Sequence, residues 1–81
     1  MRGMHVQTEI PLNLHDYEAA ARVFQQAVDA YETEGKRDMV GEMQTNLGLV
    51  HCALGENQQA LDQMQLALST FQEMEDAVRA A

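Results

Sequence analysis

The segment Gly41-Glu-Met-Gln-Thr-Asn-Leu-Gly-Leu-Val-His-Cys-Ala-Leu-Gly-Glu-Asn-Gln-Gln-Ala-Leu-Asp-Gln-Met-Gln-Leu-Ala67 decides the fold. It holds two helical patterns divided by Gly55-Glu56-Asn57. In the second pattern Ala60, Met64 and Ala67 are four and three residues apart, which stacks them on one helix face. Two small residues around a large one admit a close neighbour. Gly48, next to Leu47 in the first pattern, removes the side chain that would hold that neighbour off. The expectation is an antiparallel helix pair with a tight seam, Leu47 and Met64 interlocking where Gly48, Ala60 and Ala67 leave room.

Working outward, the first pattern extends back to about residue 37, giving a helix over 37–54 with the apolar stripe Met39, Met43, Leu47, Val50 and Leu54. Its internal Gly41 and Gly48 each cost about 1 kcal/mol relative to Ala, a cost that close backbone packing can offset. The second pattern predicts a helix over about 57–75 with Ala60, Leu61, Met64, Ala67, Leu68 and Phe71 inward. Residues 76–81 either open another helix or prolong this one. Upstream, Asn13 or Asp16 can cap a helix over about 15–34, whose apolar positions from Tyr17 to Tyr31 recur at threes and fours before Gly35 stops it. Residues 1–13 contain Pro11, which lacks an amide hydrogen and biases Ile10 away from helix, so they read as an irregular arm. Residues 14–81 form the helical domain.

Shifting the chain by 40 residues against itself exposes an internal repeat. Ala20 meets Ala60, Ala21 meets Leu61, Phe24 meets Met64, Ala27 meets Ala67, Val28 meets Leu68 and Tyr31 meets Phe71. Small answers small and large answers large.

These residues resemble the tetratricopeptide repeat, a helix A, a turn and a helix B. With Gly41 as the first residue of a unit, Leu47 and Gly48 match the family's Leu-Gly pair, Leu54 and Gly55 match the turn, and Ala60, Met64 and Ala67 match helix B. Ala20, Phe24 and Ala27 match the helix B of a preceding unit. The unit departs from the family pattern with Gln44 where Trp is preferred, His51 where Tyr is usual and Gln72 where Pro often closes it. The resemblance, to a longer-period type of about 40 residues, implies an all-α solenoid fragment of three to four helices. It also implies a concave binding face lined by helix A, here Glu42, Thr45, Asn46, Leu49, Cys52 and Ala53. Asn46 matches a position where the family often uses an amide to pair with a ligand's backbone.

Composition bounds the rest. A chain of 81 residues leaves much of its surface in water and gains from neighbours. The net charge is −8, and no Lys or Arg occurs between Asp38 and Val78, which argues against nucleic acid and against an anionic membrane surface. The expected partner is an apolar or basic protein or peptide. A single cysteine, Cys52, excludes an internal disulfide, and no apolar run approaches the roughly 20 residues of a membrane span. The opening residues lack the apolar stretch of a signal peptide, so the expected compartment is the cytoplasm.

No residue set assembles into catalytic machinery. His51 and Cys52 are adjacent and diverge by about 100° on a helix, so they do not share a metal. Glu73, Glu75 and Asp76 lack the glycine turn of a calcium loop. Neither a Ser-His-Asp set nor a phosphate-cradling glycine loop is present, and no enzyme, metal or cofactor is expected. Neither end of the repeat is polar enough for a cap, with Tyr17, Val23 and Val28 on the first helix and Leu66, Leu68 and Phe71 on the third. That leaves two functional expectations, a peptide-binding adaptor and a self-associating element that forms a homo-oligomer through exposed helix faces.

Overall fold

The computed structural model describes residues 14–80, so the arm expected over residues 1–13 lies outside the described residues. Three helices follow one another, α1 (Leu14–Glu34), α2 (Arg37–Ala53) and α3 (Asn57–Ala80). α2 packs against both α1 and α3, whereas α1 and α3 make no contact with each other among the described residues. The result is a row of three antiparallel helices with α2 in the middle, an all-α helix-turn-helix arrangement measuring 50 × 33 × 20 Å.

The two turns are built alike. Gly35 and Gly55 take φ of 74° and 79°, a left-handed conformation that a Cβ would strain. This closes each helix with a pair of reversed hydrogen bonds. After α1, the amides of Lys36 and Gly35 donate to the carbonyls of Tyr31 and Glu32; after α2, those of Glu56 and Gly55 donate to His51 and Cys52. The carbonyls of Lys36 and Glu56 then accept from Val40 and Ala60, starting the next helix at once. Chain direction reverses within two residues at the first turn and three at the second, which forces neighbouring helices to be antiparallel. At the second turn Nδ1 of His51 donates to the Glu56 carboxylate at 2.6 Å, tying the end of α2 to the entry of α3.

The buried apolar residues are Val28, Val40, Leu47, Val50, Ala60 and Ala67, so α2 supplies half of them. Val40 has no exposed surface at all, although the stripe read from the sequence runs through Met39 instead. Two further expectations are corrected. Val28, placed on an exposed flank by the sequence reading, is 5% exposed because α2 covers that side of α1. Conversely, Leu61 and Leu68 were expected inward and are 51% and 67% exposed, with Phe71 also partly in solvent. The face of α3 that meets α2 is formed by Ala60, Met64, Ala67, Thr70 and Phe71, and among the described residues α3 has no second neighbour to cover the leucines. α3 also continues to Ala80 beyond the expected end near residue 75. Nothing in Asp76–Ala80 breaks a helix, and Arg79 pairs back to Glu75 and Asp76 one turn earlier.

The α2–α3 seam is closest at two glycines. A Cβ on Gly41 would lie 2.6 Å from Cζ of Phe71, and one on Gly48 would lie 2.9 Å from Cε of Met64. Between them the seam is polar. The Thr70 hydroxyl donates to the Gln44 side-chain oxygen at 2.8 Å and also lies 3.0 Å from the Leu66 carbonyl. Both residues are buried. At the rim Arg37 donates to Glu73 at 2.9 Å, an exposed pair contributing at most about 1 kcal/mol.

Two outcomes follow for the seam. Helix propensity alone would make Gly48→Ala stabilising by about 1 kcal/mol, but the new methyl group displaces Met64, at a packing cost of about 1–3 kcal/mol. The net effect should be a loss of about 1 kcal/mol in the native background and a gain of similar size with Met64→Ala, read by urea denaturation. A loss in both backgrounds would show that the seam does not depend on this contact. Thr70→Val should cost about 1–3 kcal/mol by leaving the Gln44 amide buried without its donor, and adding Gln44→Leu should recover most of it. Equal, additive losses would count against the hydrogen bond as the cause.

Candidate functional site

α2 has three sides, and the structure uses two of them. Gly41, Gln44 and Gly48 face α3, as their contacts with Phe71, Thr70 and Met64 require. Val40, Leu47 and Val50 complete the buried part of the helix. The third side points to solvent and carries Asp38, Glu42, Thr45, Leu49, Cys52 and Ala53, residues that recur three and four apart and so stack along the helix. Leu49 is 57% exposed at the middle of this strip, an apolar group with polar neighbours above it and the Cys52 thiol below.

The groove residues read from the sequence divide accordingly. Glu42, Thr45, Leu49, Cys52 and Ala53 share the solvent-facing strip. Asn46 does not lie at its centre. It is half-buried at the edge, stacked over Val50 and Met43 at spacings of four and three. Its side-chain amide has no hydrogen-bond partner among the described residues and so keeps both donors and its acceptor available. Thr45 differs, since its hydroxyl donates to the Gly41 carbonyl at 3.0 Å and is spent on its own helix.

Asp38 is the member of the strip that sequence reasoning passed over as a group near the helix start. Its spacing of four from Glu42 was the available signal. Together they place two exposed carboxylates over the first two turns of α2, with no basic side chain on the same strip. Arg37, the nearest cation, is turned toward Glu73 and Glu32. The strip therefore combines negative charge at one end, an exposed leucine at the middle and an unengaged amide at the margin.

His51 is held by Glu56, and Cys52 faces away from it on the next position of the helix. No group of three metal-ligating side chains exists among the described residues. No described helix is long and apolar enough to cross a membrane.

A family profile described as tetratricopeptide repeat matches residues 12–73, spanning all of α1 and α2 and most of α3. The chain belongs to the tetratricopeptide repeat family. Searches of curated proteins and of solved structures return no match. By the repeat pattern read from the sequence, α2 corresponds to a helix A, α3 to its helix B and α1 to the helix B of a preceding unit. Repeats of this family generally serve as protein–protein interaction modules and are generally non-catalytic.

The division of α2 into packed and free sides has a direct test. Leu47→Ala should cost about 2–5 kcal/mol, whereas Leu49→Gln should stay within about 0.5 kcal/mol of the native protein by thermal or urea denaturation. Comparable losses at both positions would mean that the strip is covered rather than free.

Proposed function

We propose that the chain is a non-catalytic adaptor module that receives an extended or helical segment of a partner protein across the solvent-facing strip of α2. The observation that carries this reading is the strip itself. Both flanks of α2 are consumed by packing, so Leu49 at its centre has no structural duty, and an exposed leucine beside an unengaged amide is a contact surface. Two carboxylates at one end favour a partner segment that is basic there and apolar where it meets Leu49. Lys and Arg are absent from the strip, so an acidic segment would meet only repulsion. A reducing, cytoplasmic setting suits the exposed Cys52 thiol within the same surface.

Titration of labelled protein with a peptide carrying two lysines followed by leucine should move the amide signals of Leu49 and Asn46, with those of α3 unchanged. Glu42→Lys should weaken that binding by about three- to tenfold, and raised salt should weaken the native interaction in the same direction. Spectra that do not change at Leu49 and Asn46 would rule the reading out.

A further inference from the structure

We propose that the segment 2–10 of this same chain docks across the solvent-facing strip of α2, so that a partner segment binds there by displacing it. The proposal rests on the reading of that strip as a contact surface and names the ligand that occupies it first.

The sequence of the segment has the chemistry the strip asks for. Arg2, Met4, Val6 and Ile10 stand at even positions, while His5, Gln7 and Glu9 stand at odd ones. In an extended chain this alternation puts the arginine and the apolar side chains on one face and the polar ones on the other. Pro11 favours that geometry, since it biases Ile10 toward extended backbone. The face therefore carries a cation first and apolar groups after it. The strip on α2 carries Asp38 and Glu42 first and Leu49 after them.

Direction and reach agree with this pairing. α1 and α2 are antiparallel and joined by a short turn, so the amino end of α1 stands beside the carboxyl end of α2. A segment leaving Leu14 backwards along the strip passes Ala53 and Leu49 before it meets Glu42 and Asp38. α2 is 17 residues long, or about 25 Å, and the spacing of packed helices adds about 10 Å sideways. The chain from Arg2 to Leu14 extends to roughly 40 Å, which is enough. The internal spacings also correspond, with about 13 Å from Arg2 to Val6 when extended and about 10 Å from Glu42 to Leu49 on the helix.

Charge separates this segment from the rest of the chain. Asp38 and Glu42 have no ion pair among the described residues. Lys36, Arg37 and Arg79 are paired with Glu34, with Glu32 and Glu73, and with Glu75 and Asp76. Arg22 of α1 pairs with neither strip carboxylate. Arg2 is the remaining basic residue, and it alone heads an apolar face. A covalent tether holds it at an effective concentration of about millimolar, so even a weak contact is populated and still yields to a partner.

The test uses the full labelled chain. Arg2→Glu combined with Val6→Asp should move the amide signals of Glu42 and Leu49 with no peptide added, whereas Gln7→Glu, on the opposite face of the segment, should leave them in place. Circular dichroism verifies that both variants keep their helix content. Strip signals that ignore the double variant, or that answer the control equally, overturn the proposal. So does a native spectrum whose strip signals move toward those of the double variant on dilution from about 500 to 50 µM, which assigns the contact to the segment of a second copy. The peptide of two lysines followed by leucine should bind the double variant about threefold more tightly than the native chain. Equal affinities overturn the displacement and leave the adaptor reading standing. Binding to neither chain, with the Leu49 shift retained, removes the adaptor reading and leaves the segment as the strip's own ligand.

Discussion

The close approach of α2 and α3 is the constraint on which the rest of the structure depends. Gly41 and Gly48 are seven residues apart, and so are Met64 and Phe71. They meet in crossed order, Gly41 under Phe71 and Gly48 under Met64, as two antiparallel helices require. Each glycine costs about 1 kcal/mol of helix propensity, so the helix is retained by what the bare backbone admits. An apolar seam alone could slide by a turn. The Thr70–Gln44 hydrogen bond sits between the two glycine contacts, and any slip would bury two polar side chains without partners, at about 1–3 kcal/mol each. The seam is therefore fixed in distance by missing side chains and in register by a polar pair.

Much of this architecture could be read from the chain because it rests on spacing. Small residues at fours and threes marked the seam, and Gly35 and Gly55 marked turns whose hydrogen bonding proves to be the same. What spacing could not tell was which of two apolar faces a helix would use. Leu61 and Leu68 have the periodicity of core residues, and α3 is amphipathic enough to bury them, but burial needs a neighbour that periodicity does not count. Val40 was missed for a related reason. A single stripe through Met39, Met43 and Leu47 describes a helix with one neighbour, whereas α2 has two and so buries a wider arc.

The polar seam was hidden more deeply. Gln44 read as a departure from the aromatic residue usual at that position, and Thr70 as an unremarked residue between apolar ones. Only three-dimensional placement shows that they answer each other across 26 residues of chain. The α2 strip was easier to read, since five of its six members follow from helix geometry once the buried side is known. Asn46 was displaced to its edge because it stacks over Val50, which is buried.

The middle position of α2 also explains why function and stability can be separated on one short helix. Stability in a row of helices is approximately a sum of neighbour interfaces, and here both interfaces run through α2. Loss of α2 order would release α1 and α3 together, whereas either outer helix can loosen while the other stays docked. The two packed sides of α2 are thus constrained by volume and by hydrogen bonding, and substitutions there act on the whole molecule. Its third side borders no other helix among the described residues. Asp38, Glu42, Leu49 and Cys52 can change chemistry there without disturbing either seam, which is the condition under which a binding surface can be tuned to a partner independently of the fold that presents it.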